Sequence, residues 1–312
     1  MKIVIVGAGA MGSRFALMLH HSGNEVTLID GWQENVAAIK KFGLRAQFNG
    51  KSVVAKIPIY QLDQVQQLQN YQADLIIAFT KSNQLEATFD EVKTLIGPNT
   101  YVLCLLNGLG HEAVLQKYVS VDHLILGITL WTAALSGPGQ AVLIGTGNVE
   151  LQNFSSKGKE FTLQVEKVFA AAGLNPQYSD NVKYSIWRKA CVNGTLNTLC
   201  SLLECNIKEL GQTSFAPTLL KEIIAEFAAV AAHEGINLNP DEVYQHVAVA
   251  FTSDSAEHYP SMYQDLVQNH RQTEIDFING AVWHKGQQYN IATPYCALLT
   301  QLIHAKEELL QQ

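Results

Sequence analysis

The sequence predicts an α/β protein with a doubly wound parallel sheet over residues 1–180 and an all-helical domain over residues 181–312. Three observations lead there. Short β-branched runs alternate with helical periodicity in the first half, a glycine-rich turn joins the first run to the first helix, and the strand signal vanishes after Asp180. Strands apolar on both faces and separated by helices imply a parallel sheet covered on both sides.

The expected strands are I-V-I-V (3–6), E-V-T-L-I (25–29), D-L-I-I-A-F (74–79), Y-V-L-C-L-L (101–106) and L-I-L-G-I (124–128). Residues 137–151 break this rhythm, and the two short runs around Gly145-Thr146-Gly147 read as a β-hairpin. Amphipathic helices are expected at 183–203, 216–234, 261–284 and 294–311, with helix ends at 235–237 and 290–292 ahead of Pro240 and Pro294.

At 312 residues the chain exceeds the usual single-domain size, so two domains are the default. With 47% hydrophobic and 16% charged residues it has ample core material and too little charge for disorder. A net charge of −7, with no basic run beyond two residues, argues against nucleic acid or an anionic membrane as partner. The five cysteines are odd in number and lack C-x-x-C spacing, which suits reduced thiols in the cytoplasm. No targeting leader and no run of about 18 apolar residues is visible, so a soluble cytoplasmic protein is expected. No His/Cys cluster has zinc-ligand spacing, so no metal is expected.

Gly7-x-Gly9-x-x-Gly12 directly follows a strand and opens a helix, the context that makes this pattern informative. The first glycine permits a tight turn, the second lets backbone approach a pyrophosphate, and the third lets helix pack on strand. The start of that helix, Ala10 and Met11 included, then offers amides to the phosphates. This is the Rossmann-type cofactor loop; a glycine turn without a ligand is the alternative. Asp30 stands 18 residues beyond Gly12, at the tip of the second strand. A carboxylate there accepts hydrogen bonds from the adenosine ribose and repels a 2′-phosphate, which favours NAD over NADP. Its alternative role is to begin the turn at Gly31.

In W-R-K-A-C-V-N-G-T-L-N-T-L, Lys189, Asn193 and Asn197 recur every four residues on one helical stripe bordered by apolar positions. A lysine against a buried wall either snorkels to water or meets a partner, with a lowered pKa. Carbonyl reduction needs such a group, because the oxygen becomes an alkoxide that requires a proton and positive charge. A solvated helix face would show the same stripe. Asn107 ends a strand at the carboxyl edge of the sheet, where ligands of open α/β folds collect. Ser261 and Glu274 add a hydroxyl and a carboxylate to the helical half.

These segments together resemble the ketopantoate reductases over essentially the whole chain: G-A-G-A-M-G, A-F-T-K ending at Lys81, L-N-G-x-G-x-E, the P-G-x-x-x-x-x-G-x-G hairpin, W-R-K-x-x-V-N-x-x-x-N, S-M-x-Q-D and T-E-I-D-x-I-N-G. The resemblance implies that Lys189 is the catalytic acid, with Glu274 beside it, and that Asn193, Asn197, Ser261 and Glu274 hold a 2-keto acid. It places Thr80, Lys81 and Asn107 along the cofactor, and Glu274 at both ligands. His258, three residues before Ser261, takes a position commonly held by a substrate-touching Asn.

Four departures stand out. Asp30 replaces the basic residue usual in NADPH-dependent members, Thr129-Leu130-Trp131 replaces a Thr-Thr pair with small successors, His258 replaces Asn, and one residue is added between Ser261 and Glu274. Together they resemble the branch of NAD-dependent D-2-hydroxyacid dehydrogenases that act on branched or aromatic 2-keto acids, such as those giving D-mandelate. The expectation is an NAD-dependent oxidoreductase of that kind, a homodimer by family habit, with 2-dehydropantoate 2-reductase as its alternative. A β-hydroxyacid dehydrogenase would show a Gly-Gly substrate segment that is absent from the sequence, and a non-catalytic redox sensor would not need Lys189, Asn193, Ser261 and Glu274 together.

Overall fold

A computed structural model of the chain describes residues 1–68, 71–253 and 256–310. The first compact unit comprises Met1–Leu106 and His111–Val182, and the second comprises Asn107–Gly110 and Lys183–Gln312.

The first unit runs β1 (Lys2–Val6), α1 (Ala10–His21), β2 (Glu25–Asp30), α2 (Gln33–Phe42), β3 (Leu44–Phe48), β4 (Lys51–Ala55), β5 (Ile59–Gln61), β6 (Leu75–Ala78), α3 (Leu85–Val92), β7 (Tyr101–Cys104), α4 (His111–Leu115), β8 (Leu124–Thr129), β9 (Ala134–Gly137), β10 (Gln140–Leu143), β11 (Val149–Asn153), α5 (Lys159–Ala171) and β12 (Pro176–Tyr178). Its main sheet has eight strands in the order β12-β11-β8-β7-β6-β1-β2-β5. Pairing is parallel throughout except between β8 and β11. The order reverses beside β1, so the turn after β1 opens at the switch point where open α/β sheets receive ligands. Ile3, Val4 and Ile5 in β1 and all of β6 are fully buried. Each such side chain stabilises the unit by about 2 kcal/mol, which is why these strands are apolar on both faces.

The hairpin lies one segment earlier than the sequence suggests. Its arms are β9 and β10, joined across Pro138-Gly139, whereas the run after Gly147 leaves to become β11 of the main sheet. With β3 and β4 the hairpin forms a second, four-stranded sheet that hydrophobic patterning did not reveal. These strands are short and partly exposed, so alternation is weak.

The second unit contains α6 (Val182–Val192), α7 (Thr198–Leu203), α8 (Ile207–Gly211), α9 (Ala216–His233), α10 (Pro240–Ala250), α11 (Ser261–Tyr263), α12 (Asn279–Tyr289) and α13 (Pro294–Leu310). The expected helix at 294–311 is therefore present to Leu310, Gln311 lying outside the described residues. Pro240 and Pro294 each open a helix, where the missing amide costs nothing. The expected continuous helix at 261–284 is broken. After α11 comes a π-turn at Gln264–Gln268, then an irregular stretch pinned where the Arg271 amide donates to the Asp265 carbonyl and its guanidinium to the Asp265 carboxylate, both at 2.8 Å. The sequence expectation also joined 183–203 into one α-helix, but α6 and α7 are separated by a π-turn at Asn193–Asn197. The described residues of this unit share one core, built around Ile223, Phe227, Val282 and Ile303.

Candidate active site

In the first unit, the glycine loop leaves β1 with Gly7 at φ +100°, and a Cβ there would sit 2.4 Å from the Phe79 carbonyl oxygen. Only glycine combines that backbone with that approach. A Cβ on Gly12 would sit 1.8 Å from the Gly7 carbonyl oxygen, so α1 can pack on the loop only without a side chain at this position. Above Gly9, by contrast, a Cβ would meet nothing within 4 Å. No side chain caps α1, and the first amide bonded back into the helix is that of Ser13, to Gly9 at 2.9 Å. The preceding amides of Ala10, Met11 and Gly12 thus point from an uncapped helix start, a natural seat for an anion.

Asp30 ties the tip of β2 to this loop. Its Oδ2 accepts from the Ala8 amide at 2.5 Å and its Oδ1 from the Trp32 amide at 2.7 Å. It therefore serves as turn residue and loop anchor at once, with lone pairs left for further donors. Burial raises its pKa, and the two amide bonds pull it back down. The Thr80 hydroxyl, next to the Phe79 carbonyl that confines Gly7, is buried and has no hydrogen-bond partner among the described residues. A buried hydroxyl without a partner suits a ligand atom. Open space over Gly9, unbonded helix amides, a carboxylate at the strand tip and this hydroxyl fit a dinucleotide. Lys81 follows Thr80, and the next residue, Ser82, is bonded at 2.9 Å to His111, whose imidazole burial pushes down to about 4 and so keeps neutral. That pair holds the turn that carries Lys81 and was not singled out in the sequence.

Trp131 is a core residue of the first unit. Its indole is buried in the core of the first unit, donates from Nε1 to the Leu174 carbonyl at 2.9 Å and stacks 4.5 Å from the guanidinium of Arg14. Arg14 is itself fully buried, bonded to the Thr132 and Ile144 carbonyls. The bulk at Trp131 therefore fills core volume, and Leu130 is left exposed.

In the second unit, Lys189 lies in the last turns of α6. Burial lowers its pKa to about 8, while the Glu274 carboxylate pulls in the opposite direction. The residue keeps partial surface exposure as a whole, so the desolvation belongs to the ammonium end. Asn193 and Asn197 open and close the π-turn. Bonding i→i+5 fits more residues into a turn, so side chains four apart overlie more closely than with the roughly 40° offset of an α-helix. Asn197 Nδ2 lies 3.4 Å from Ser261 Oγ, bringing those two groups together. The Thr195 hydroxyl fills the widened turn by bonding the Cys191 and Val192 carbonyls. Asn107 belongs to this unit, in a loop anchored where the Leu109 amide donates to the Phe277 carbonyl at 2.7 Å. His258 sits on an exposed bend, and α11 begins at Pro260 without a side-chain cap, so His258 is not a capping residue. Among the described residues, no cluster of His, Cys, Asp and Glu could hold a metal ion, and no helix is long and apolar enough to cross a membrane.

Comparison with known proteins matches residues 3–156 to the ketopantoate reductase PanE/ApbA family and residues 181–307 to the C-terminal domain of that family. A 2-dehydropantoate 2-reductase from Lactococcus lactis is 54% identical over 312 residues, covering 100% of this chain and 99% of the relative. A ternary structure of D-mandelate dehydrogenase with NADH and anilino(oxo)acetate is 53% identical, covers 100% of both chains and superposes with a TM-score of 0.96. A putative 2-dehydropantoate 2-reductase from Enterococcus faecalis is 58% identical, covers 100% of this chain and 99% of its own, and has a TM-score of 0.80.

Proposed function

The chain belongs to the ketopantoate reductase family, and on that premise we propose that it is an NAD-dependent D-2-hydroxyacid dehydrogenase that reversibly reduces 2-keto acids with branched or aromatic C3 groups. The observation that carries the cofactor half of this reading is Asp30, a carboxylate fixed by two backbone amides at the strand tip, where a 2′-phosphate would meet like charge. The full-length likeness to a D-mandelate dehydrogenase holding NADH and an aromatic oxo acid supports both halves.

The residues assigned to the dinucleotide are Gly7, Gly9, Ala10, Met11, Gly12, Asp30, Thr80 and Lys81 and, by the family resemblance, Asn107 and Glu274. A reduced nicotinamide cofactor held by these residues would supply the hydride needed at C2 of a keto acid. Lys189 holds a proton at Nζ and delivers it to the carbonyl oxygen as negative charge builds there. In the oxidative direction neutral Lys189 takes the hydroxyl proton instead. A pKa near 8 keeps both forms within reach of neutral pH. Glu274 opposes the burial of Lys189 and so keeps more of it charged. Asn193, Asn197, Ser261 and His258 are assigned to the substrate, with the adjacent Asn197 amide and Ser261 hydroxyl suited to its carboxylate.

A second reading, 2-dehydropantoate 2-reductase, is favoured by the 54% identical Lactococcus lactis relative. The core position of Trp131 also removes one reason for expecting a substrate bulkier than ketopantoate. Steady-state rates on benzoylformate, 2-ketoisovalerate and ketopantoate, each with NADH and NADPH, separate the two. The proposal expects the highest kcat/KM for benzoylformate or 2-ketoisovalerate with NADH; a clear preference for ketopantoate overturns it in favour of the second reading. A cytoplasmic homodimer completes the proposal, supported by cysteines free of disulfides and by the exposed apolar Leu203, Phe215 and Val249 of the helical unit. Light scattering at micromolar concentration tests the dimer.

A further inference from the structure

Within the apolar core of the helical unit runs a short polar chain to which the roles above assign nothing. Asn279, the first residue of α12, is fully buried. Its Oδ1 accepts from Thr198 Oγ1 at 2.8 Å, while its Nδ2 donates to the Gly194 carbonyl at 3.1 Å and lies 3.9 Å from Cys296 Sγ. The amide can face only one way, because the Gly194 carbonyl accepts and cannot donate. Thr198 is also fully buried, and its hydroxyl lies 3.8 Å from Met262 Sδ.

Three residues of this chain, Gly194, Thr198 and Met262, adjoin a group assigned to the chemistry. Gly194 lies inside the π-turn between Asn193 and Asn197, and Thr198 directly follows Asn197. Met262 follows Ser261, and Asn279 ends the short segment that starts at Glu274. A π-turn departs from the regular ladder, and bonds from outside the helix can help to fix its register. The carboxamide supplies one donor to the Gly194 carbonyl and one acceptor to the Thr198 hydroxyl. A Cβ on Gly194 would sit 2.5 Å from the Phe227 ring and 3.3 Å from Asn279 Nδ2, so the turn is held closely from both sides.

We propose that Asn279 is a positioning residue for the keto acid: through the Gly194 carbonyl and the Thr198 hydroxyl it holds the widened turn in register, and thereby sets where Asn193 and Asn197 stand relative to Lys189 and Ser261. The proposal rests on the reading of Lys189, Asn193, Asn197 and Ser261 as the reducing and substrate-holding groups. Small misplacements of such groups cost up to about a hundredfold in rate.

The test compares Thr198→Val, Thr198→Ser, Asn279→Ala and Lys189→Ala, using whichever of benzoylformate, 2-ketoisovalerate and ketopantoate the wild type turns over best. Thr198→Val is expected to leave NADH affinity, read by fluorescence titration, within twofold of wild type. It should raise the KM for the keto acid and lower kcat, together costing roughly tenfold to a hundredfold in kcat/KM. Thr198→Ser should restore both. Asn279→Ala should show the same split, and adding Thr198→Val to it should cost little more, because the two act in one chain. If Asn279→Ala does not fold, the Thr198 pair decides. Unchanged kcat/KM in Thr198→Val, failure of serine to rescue it, or a matching loss of NADH affinity overturns the proposal. Near-normal turnover by Lys189→Ala would instead overturn the reading beneath it.

Discussion

The two units prepare their candidate sites by opposite means. In the first, the loop after β1 works through what is missing: Gly12 must lack a side chain because the Gly7 carbonyl is already there, and the space above Gly9 is left open. In the second, side chains brace the helix from outside. Thr195, Thr198 and Asn279 bond carbonyls and hydroxyls across a widened turn, so that a lysine and two asparagines share one stripe. The first site depends on backbone that leaves no room for a side chain at Gly7 and Gly12, whereas the second depends on side-chain hydrogen bonds together with close packing at Gly194.

The sharpest break in that comparison is chemical. Lys189→Ala should lower kcat for reduction by about 10²–10⁴ while NADH binding survives, measured by steady-state rates beside fluorescence titration. Gly12→Ala should do the reverse. By colliding with the Gly7 carbonyl it should cost on the order of 3 kcal/mol in thermal unfolding and abolish NADH binding, with the helical unit's groups untouched. Asp30→Arg should reduce kcat/KM with NADH by roughly tenfold to a hundredfold and raise that with NADPH. The gain should stay partial, because the Ala8 and Trp32 amides lose their acceptor; an unchanged preference would deprive Asp30 of the role given to it.

Proton supply offers a gentler probe. Reduction uses charged Lys189, so its kcat should fall as pH rises through about 8, while the oxidative rate should climb over the same range. Glu274→Gln removes the carboxylate that raises the Lys189 pKa, and should move both limbs to lower pH. Limbs of the same sign in the two directions would separate the pH dependence from Lys189. The smallest effect belongs to Trp131→Phe, which should cost about 1–2 kcal/mol in denaturant unfolding through the lost Leu174 bond and the Arg14 stacking. Substrate preference should not change; a shift toward larger keto acids would place Trp131 in the pocket.

Much of the first unit was legible in the chain. Continuous β-branched runs, the spacing of three glycines and an acid at the second strand tip reflect backbone requirements that only certain residues meet, so they leave a local signature. The second sheet and the position of the hairpin were not legible. Whether the run after Gly147 turns back on β10 or joins β8 depends on partners distant in sequence, which alternation does not encode.

In the helical unit, four-residue spacing pointed to Lys189, Asn193 and Asn197, yet it could not reveal that the stripe passes through a π-turn. In the first unit, the sequence showed only that Trp131 is bulkier than the family pattern, since its burial against Arg14 and Leu174 is a property of distant segments meeting. Asn279 shows the division most clearly. The sequence alone determined that an amide stands in the apolar run I-D-F-I-N-G-A-V, next to the segment carrying Glu274. Only the tertiary structure decided that this amide bonds Gly194 and Thr198, because a buried polar group takes its meaning from whichever donors and acceptors folding brings within 3 Å or so of it.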